Sequence, residues 1–285
     1  VILTSVEYDH ADIYASLADV EKAFEGLLDR VRPGGRLIAC LDYVSVQKLV
    51  PRAKVPVGSY GSSAALGADF HPGAIKTEDG IITFRVMSAK GAEAEIRLHK
   101  PGLHNVMNAL AVFIEARTWG ITDEKIAAAL ASFQGVKRRQ EERGEKRGVL
   151  VLDDFAHHPT AVRETLNALR AKYPSRRLIS VFEPRSATSR RKVFQADYAA
   201  AFDSAAMAYI ANAYDQTAIQ SGDQFSSAQL VEDMKKRGRD AHLMSQDIDQ
   251  AVREVARRAQ AGDVIAVLSN GAFGGFIVKL LAALA

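Results

Sequence analysis

The stretch "VLVLDDFAHHPTAVRETLNALRAKY", Val149 to Tyr173, packs two carboxylates and two imidazoles between Asp153 and His158. Such a group could hold a divalent cation, act as a general base, or offer polar ligands to a nucleotide. A buried Asp satisfied by backbone amides is the bland alternative. Three further clusters are comparably dense. "EYDHAD" supplies Glu7, Asp9, His10 and Asp12, hard oxygens and one imidazole that suit a metal or form a plain acidic turn. "LHNVMNAL" sets His104, Asn105 and Asn108 at the start of a helical pattern. Its two amides, one turn apart, could read a purine edge, although capping explains Asn105 equally well. "EPRSATSRR" carries Arg185, Ser186, Thr188, Ser189, Arg190 and Arg191. Guanidinium forks and hydroxyls at a helix start match phosphate or carboxylate.

The surrounding elements must present these groups. "VLVLDDF" reads as a buried strand, and Val162, Leu166, Leu169 and Tyr173 fall on one helical face. Pro159 then sits in the first turn, where its missing N–H costs nothing. The polar cluster falls at the carboxyl end of a strand, where open α/β sheets bind ligands. From Val149 onward, strand candidates "VLVLDDF", "RLISVFEP", "AAMAYIAN", "AHLM" and "DVIAVLSN" alternate with helices predicted near Pro159, Ser189, Ser226, Asp247 and Ala272. Repeated βα units imply a mostly parallel sheet with helices on both faces.

The first half is more mixed. It offers the strand-like "VILTSVEY", a helix over Leu17 to Leu28, "GGRLIACLD" after a Pro-Gly-Gly turn, and a helix over Val44 to Val50. Then come "GIITFRVM" and "AEAEIRLHK", predicted as an antiparallel pair, and the helices "NVMNALAVFIEARTWG" and "TDEKIAAALASF", the latter N-capped by Thr122. The apolar-poor "GVKRRQEERGEKRG", Gly135 to Gly148, reads as a connector between two domains.

Length and composition bound the function. At 285 residues two domains are the better expectation, and 48% hydrophobic with 25% charged residues matches an ordinary globular protein. A net charge of +3, from 37 basic and 34 acidic residues, gives no ground for a nucleic-acid partner. Cys40 alone excludes an internal disulfide framework and points to a reducing cytoplasm; it reads as a small buried hydrophobe. No apolar run has membrane-span length, and no basic-then-apolar leader is present. Because Val1 lies inside a strand-like run with no initiator Met, the chain is expected to begin in mid-domain. Neither a G-x-x-x-x-G-K-[ST] loop nor a G-x-G-x-x-G fingerprint occurs.

With "VEYDHAD", "HNVMNAL", "GVKRRQE" and "DDFAHHPT" in this order, the chain resembles the Mur ligase superfamily, ATP-dependent amide-forming enzymes of peptidoglycan synthesis. The resemblance implies an α/β fold: the C-terminal part of a central ATPase-like domain over 1–136, then a C-terminal Rossmann-like domain with a mostly parallel sheet over 137–285. "GVKRR", "DDFAHHPTAV", "FEPRSATSRRKVF" and "SNGAFGG" look most like members that join L-alanyl-γ-D-glutamyl-meso-diaminopimelate to UDP-N-acetylmuramate in murein recycling. Members that add L-alanine are the alternative. The resemblance implies ATP and Mg²⁺, with His10 as a magnesium ligand. His104, Asn105 and Asn108 would face adenine, Arg139 the nucleotide phosphates, Asp154 the ribose hydroxyls and His157 the γ-phosphate. Arg185, Ser186, Arg191, Ser269 and Asn270 would face the incoming peptide. The family's phosphate loop has no match here, so the 285 residues alone are expected to be inactive. Two other classes remain open: a metal-dependent phosphoesterase using Asp153, Asp154, His157 and His158, and a peptide-binding module built on "EPRSATSRR".

Overall fold

The computed structural model describes residues 1–78 and 80–285. The chain divides into two compact units, Val1–Gln134 and Gly135–Ala285.

The first unit is built on a seven-stranded mixed sheet. Strands β1 (Ile2–Leu3), β2 (Leu37–Cys40), β3 (Val57–Tyr60) and β4 (Phe70–Pro72) run parallel. Strand β6 (Ile81–Ser88) pairs antiparallel with β4, with β5 (Lys76–Glu78) and with β7 (Gly91–Leu98). The predicted antiparallel pair is therefore β6 and β7. The pleat of β2 shows how the layers form, since successive side chains leave a strand on opposite faces. Leu37 and Ala39 pack with α1 (Leu17–Leu28) and α2 (Val44–Leu49). Ile38 and Cys40 face α3 (Leu103–Thr118) and α4 (Asp123–Ser132). Cys40 is 2% exposed, and burial pushes its thiol up to about 12, so it is an inert core residue. Thr122 occupies the N-cap of α4, but its hydroxyl makes no capping bond to the backbone. "VILTSVEY" forms only a two-residue strand; from Thr4 to His10 the chain is irregular.

The second unit is a six-stranded sheet. Its strands are β8 (Glu141–Lys146), β9 (Val149–Asp154), β10 (Arg177–Phe182), β11 (Met207–Ile210), β12 (Asp240–Leu243) and β13 (Asp263–Leu268). Their order is β12-β11-β10-β13-β9-β8, all parallel except β8. Helices α5 (Pro159–Lys172), α6 (Gln195–Ala201) and α7 (Ser227–Lys236) cover one face, packing on Leu150, Leu152, Leu178 and Phe182. Helices α8 (Ile248–Arg258) and α9 (Phe276–Ala283) cover the other, packing on Val149, Val151, Ile179 and Val181. Pro159 stands in the first turn of α5, and Ser226 and Asp247 cap α7 and α8 as expected.

Two expectations fail in this unit. The charged run after Gly135 is not only a connector, because Glu141–Lys146 pairs with β9 as an antiparallel edge strand. An edge strand tolerates such a sequence because its side chains reach water. Here Glu142 meets Lys172 at 3.0 Å and Glu145 meets Arg176 at 3.0 Å. Nor does a helix begin near Ser189. Ser186 Oγ accepts the Ser189 N–H at 2.9 Å, the chain turns, and α6 starts only at Gln195. No helix among the described residues is long and apolar enough to cross a membrane.

Phe182 is fully buried and touches the rings of Tyr198 and Phe202 at 5.3 and 5.4 Å. Phe182→Ala is expected to destabilise the second unit by about 3–5 kcal/mol. This is read as a lower urea midpoint for that unit's transition; an unmoved midpoint would contradict the packing.

Candidate functional site

The side chains of interest in the second unit leave from three strand ends that stop level with one another. The Ser269 N–H donates to the Asp154 carbonyl at 3.0 Å, and the Glu183 N–H donates to the Leu268 carbonyl at 3.0 Å. The last residues of β9, β13 and β10 are thereby stitched together. Beyond β10 the chain moves outward to β11 and β12, whereas beyond β13 it turns to α9, which packs toward β8 and β9. The crevice between the ends of β10 and β13 is thus a topological switch point, the ligand-binding position of open α/β sheets.

The tandem acids of β9 separate by the strand's alternation. Asp154 is 3% exposed and accepts backbone N–H groups from Gln140 and Ala156, each at 2.8 Å, with Thr165 Oγ1 at 3.5 Å. Burial raises its pKa, and those backbone bonds act against the rise. Asp153, 5% exposed, faces the other way and meets Arg138 Nε at 3.5 Å and Arg143 Nη1 at 3.2 Å. The bland reading thus describes how Asp154 is bonded. The pair does not form a metal site, and no group of three or more metal-binding side chains gathers anywhere among the described residues. The phosphoesterase alternative loses its constellation for that reason.

Arg138 ties the segment before β8 to this edge. Its Nη2 donates to the carbonyls of Ser269 and of Gly271, the latter at 2.8 Å, and its own N–H donates to Glu141 Oε2 at 2.7 Å. Both Arg138 and Gln140 have left-handed backbones, with φ of 57° and 49°, uncommon for residues with a Cβ. Phe155 lies under two cations: the guanidinium carbons of Arg138 and Arg139 stand 5.1 and 5.3 Å from its ring centroid. Arg139 is exposed, and its guanidinium is the cation presented outward. His157 is half-buried; its Nδ1 lies 3.1 Å from the Phe155 carbonyl, and its own carbonyl accepts the Tyr198 hydroxyl. His158 caps α5, its Nδ1 accepting the Thr160 N–H at 3.3 Å.

On the other side of the crevice, Glu183 accepts from Ser269 Oγ and stands 3.5 Å from Arg185 Nη1. Arg185 and Ser269 therefore belong to one network, and Asn270 follows directly, with a buried Oδ1 that has no protein partner. Ser186 is engaged in its own turn with Ser189. Arg191 is half-buried and its backbone bridges to Gln224.

In the first unit, Asn105 Nδ2 donates to the Pro101 carbonyl at 2.8 Å, so this amide ties down the start of α3. His104 is half-buried and Asn108 exposed on the same helix. His10 is exposed with φ of 54°, and Asp9 Oδ1 accepts its N–H at 2.7 Å. No group of three metal-binding side chains gathers around His10 among the described residues; Mg²⁺, which keeps several waters and takes substrate phosphates, needs only one or two protein ligands.

Arg138, Glu183, Tyr214 and Gly271 are members of the site that sequence reasoning did not name as site residues, although all but Tyr214 lie inside the quoted motifs. Glu183 carried a further signal, an acid at an apolar strand end in "VFEPR", whereas Tyr214 carried none.

The second unit is thus a doubly wound α/β domain with a cationic, hydroxyl-bearing ligand edge. The Mur ligase middle-domain family matches residues 1–116, and the Mur ligase glutamate-ligase-domain family matches residues 138–271. The chain belongs to the Mur ligase superfamily and carries sequence from both domains. It is 30% identical, over 95% of its length, to a UDP-N-acetylmuramate–L-alanine ligase of Desulfotalea psychrophila, and spans 58% of that relative. A solved murein peptide ligase of Psychrobacter arcticus is 28% identical over 99% of this chain and 57% of its own, with a TM-score of 0.65. The UDP-N-acetylmuramate–alanine ligase of Thermotoga maritima shares the fold, with a TM-score of 0.76 at 19% identity over 99% of this chain and 58% of its own. Relatives in Salinibacter ruber, 36% identical over 75% of this chain and 44% of their own, and in Desulfatibacillum aliphaticivorans, 31% identical over 95% and 58%, bear the same name, UDP-N-acetylmuramate–L-alanine ligase.

Arg138→Ala is expected to cost about 2–4 kcal/mol, since it strips a buried carboxylate and two carbonyls of a shared partner. Urea denaturation of the second unit checks this, and a loss under about 1 kcal/mol would contradict the tie. A pH effect follows from Asp154. Its folded pKa lies above the unfolded value, so its contribution is complete below the unfolded pKa near 3.8 and is lost as pH rises through the folded pKa. Asp154→Asn should remove that falling component from the stability–pH curve; equal slopes above pH 4 in both proteins would contradict it.

Proposed function

We propose that this chain serves an ATP-dependent ligase that joins an L-alanyl amino group to the carboxylate of UDP-N-acetylmuramate. The observation that carries the reading is the gathering of Arg138, Arg139, Asp154, His157, Arg185, Ser269 and Asn270 at one edge of a sheet in a Mur ligase domain. In the proposed reaction a muramoyl carboxylate oxygen bonds to the γ-phosphorus as the bond to ADP breaks. The amine nitrogen then attacks the acyl carbon, phosphate leaves from the tetrahedral intermediate, and the amine loses its proton. Such chemistry requires fixed cations rather than a protein nucleophile.

In this reading Arg139 and His157 face the phosphates, and Asp154 takes the ribose hydroxyls with lone pairs left over from its two backbone bonds. His104, Asn105 and Asn108 face adenine. His10 would contribute one ligand to Mg²⁺, whose other positions suit water and the nucleotide phosphates. Arg185, Ser186, Arg191, Ser269 and Asn270 face the amine substrate.

Free L-alanine is the amine best supported, because the curated relatives bear that name. The tripeptide L-alanyl-γ-D-glutamyl-meso-diaminopimelate is a second reading, favoured by the 28% identity to a solved murein peptide ligase and by the motif "FEPRSATSRR". Both present an L-alanyl amine together with at least one carboxylate.

The test uses a protein carrying this chain together with a phosphate loop. ADP release should require UDP-N-acetylmuramate and an amine, and the preferred amine decides between the two readings. Arg139→Ala is expected to lower kcat by about 10²-fold or more. ADP release that does not depend on UDP-N-acetylmuramate would overturn the ligase reading.

A further inference from the structure

Arg185 lies in a slot whose walls are residues outside the roles given above. One wall is Tyr214, with the guanidinium carbon 3.7 Å from its ring centroid. The other is Gly271, where an added Cβ would stand 2.2 Å from Arg185 Cδ, 2.3 Å from Nε and 2.9 Å from Cζ. Only a bare α-carbon lets the arginine pass. Both walls are fixed. The Tyr214 N–H donates to the Pro184 carbonyl at 2.9 Å, which ties its backbone to the segment just past β10. The Gly271 N–H donates to Ser269 Oγ at 3.0 Å, and its carbonyl accepts from Arg138 at 2.8 Å. Glu183, 6% exposed, closes the circuit by accepting from Ser269 Oγ and meeting Arg185 Nη1.

Resting on the ligase reading, we propose that Tyr214 and Gly271 are specificity-determining positioning residues that hold the Arg185 guanidinium for a carboxylate of the amine substrate. A free arginine side chain loses rotamer entropy when it docks an anion, and a slot removes that cost in advance. Tyr214 and Gly271 both crowd the arginine, and Glu183 stands at Nη1, so few directions of approach to the fork remain. A fork held in this way can take a carboxylate through two parallel N–H···O bonds. Glu183 holds one corner, which leaves the remaining edge for the ligand.

Two measurements decide this. In the protein bearing a phosphate loop, Gly271→Ala and Tyr214→Ala should each raise the KM for the amine about tenfold or more, while the KM for ATP stays within about twofold. Tyr214→Phe, which restores the ring, should recover most of the amine affinity. An unmoved amine KM in both Ala variants, or equal rises for amine and ATP, would overturn the proposal. Tyr214 is 47% exposed, so its variants stay informative if Gly271→Ala fails to fold.

The second measurement uses the 285-residue chain and needs no turnover. The Arg185 Nε–H resonance is followed by NMR during titration with L-alanine, with the tripeptide, and with inorganic phosphate. A carboxylate ligand should shift it in the wild type and not in Gly271→Ala, and an equal or larger shift with phosphate would overturn the assignment to a carboxylate. No shift with either carboxylate ligand overturns the slot. A shift in a protein that forms no amide would instead leave the slot standing and remove the ligase reading.

Discussion

In the second unit every side chain beyond the sheet takes its place from the flush register of three parallel strands. Asp154 of β9 pairs with Leu268 of β13, and Leu268 pairs with Phe182 of β10. The residues that follow each strand therefore emerge at one level, and backbone bonds from Ser269 and Glu183 extend the ladder one step past the strands. A one-residue slip of β13 would turn Ser269 away from Glu183, because the side-chain period of a strand is two. The opposite end of the same strands is pinned as well, by the bidentate pair of Arg177 with the buried Asp263 at 2.7 and 2.9 Å. A fork on a buried carboxylate fixes position along the strand as well as charge.

That register explains the division of labour among the polar groups. Asp153 and Asp154 are adjacent in sequence yet serve different partners, guanidinium groups on one face of the sheet and backbone amides on the other. Burial favours the neutral form of Asp154, so its two backbone donors are what makes a carboxylate tolerable there. Asp154 thereby holds Gln140 in a left-handed conformation, and Arg138 is held likewise through Glu141. The exposed cation of Arg139 lies between these two constrained residues, and its aim is a consequence of their bonding.

Membership in the Mur ligase superfamily and the geometry of this edge agree on the kind of ligand expected: anionic, and bound where cations and hydroxyls follow strand ends. The network Glu183–Ser269–Gly271–Arg138 is closed by three hydrogen bonds, and Glu183 in turn meets Arg185 Nη1 at 3.5 Å. Replacing one member would disturb its neighbours, so energies assigned to them singly would not add.

Much of the architecture was legible in the sequence because it rests on local periodicity. Alternation and βα rhythm sufficed for the parallel sheet of the second unit, for the antiparallel β6–β7 pair, and for helices opened by Pro159, Ser226 and Asp247. The ordered motifs sufficed for the family. What composition could not reveal was partner choice across space. The charged run at Glu141–Lys146 lacks the apolar signature of a strand, and only the exposed edge of β9 makes it one. The amine remained divided as well, since the motifs lean toward the tripeptide and the names of the relatives toward L-alanine. Sequence alone determined which residues stand at strand ends, because hydrophobic pattern sets where a strand must stop. The fold decided that Asp153 and Asp154 part company, that Arg138 binds the carbonyls of Ser269 and Gly271, and that Arg185 lies between Tyr214 and Gly271. Those contacts join residues far apart in the chain, and only close packing at the sheet edge brings them within bonding distance.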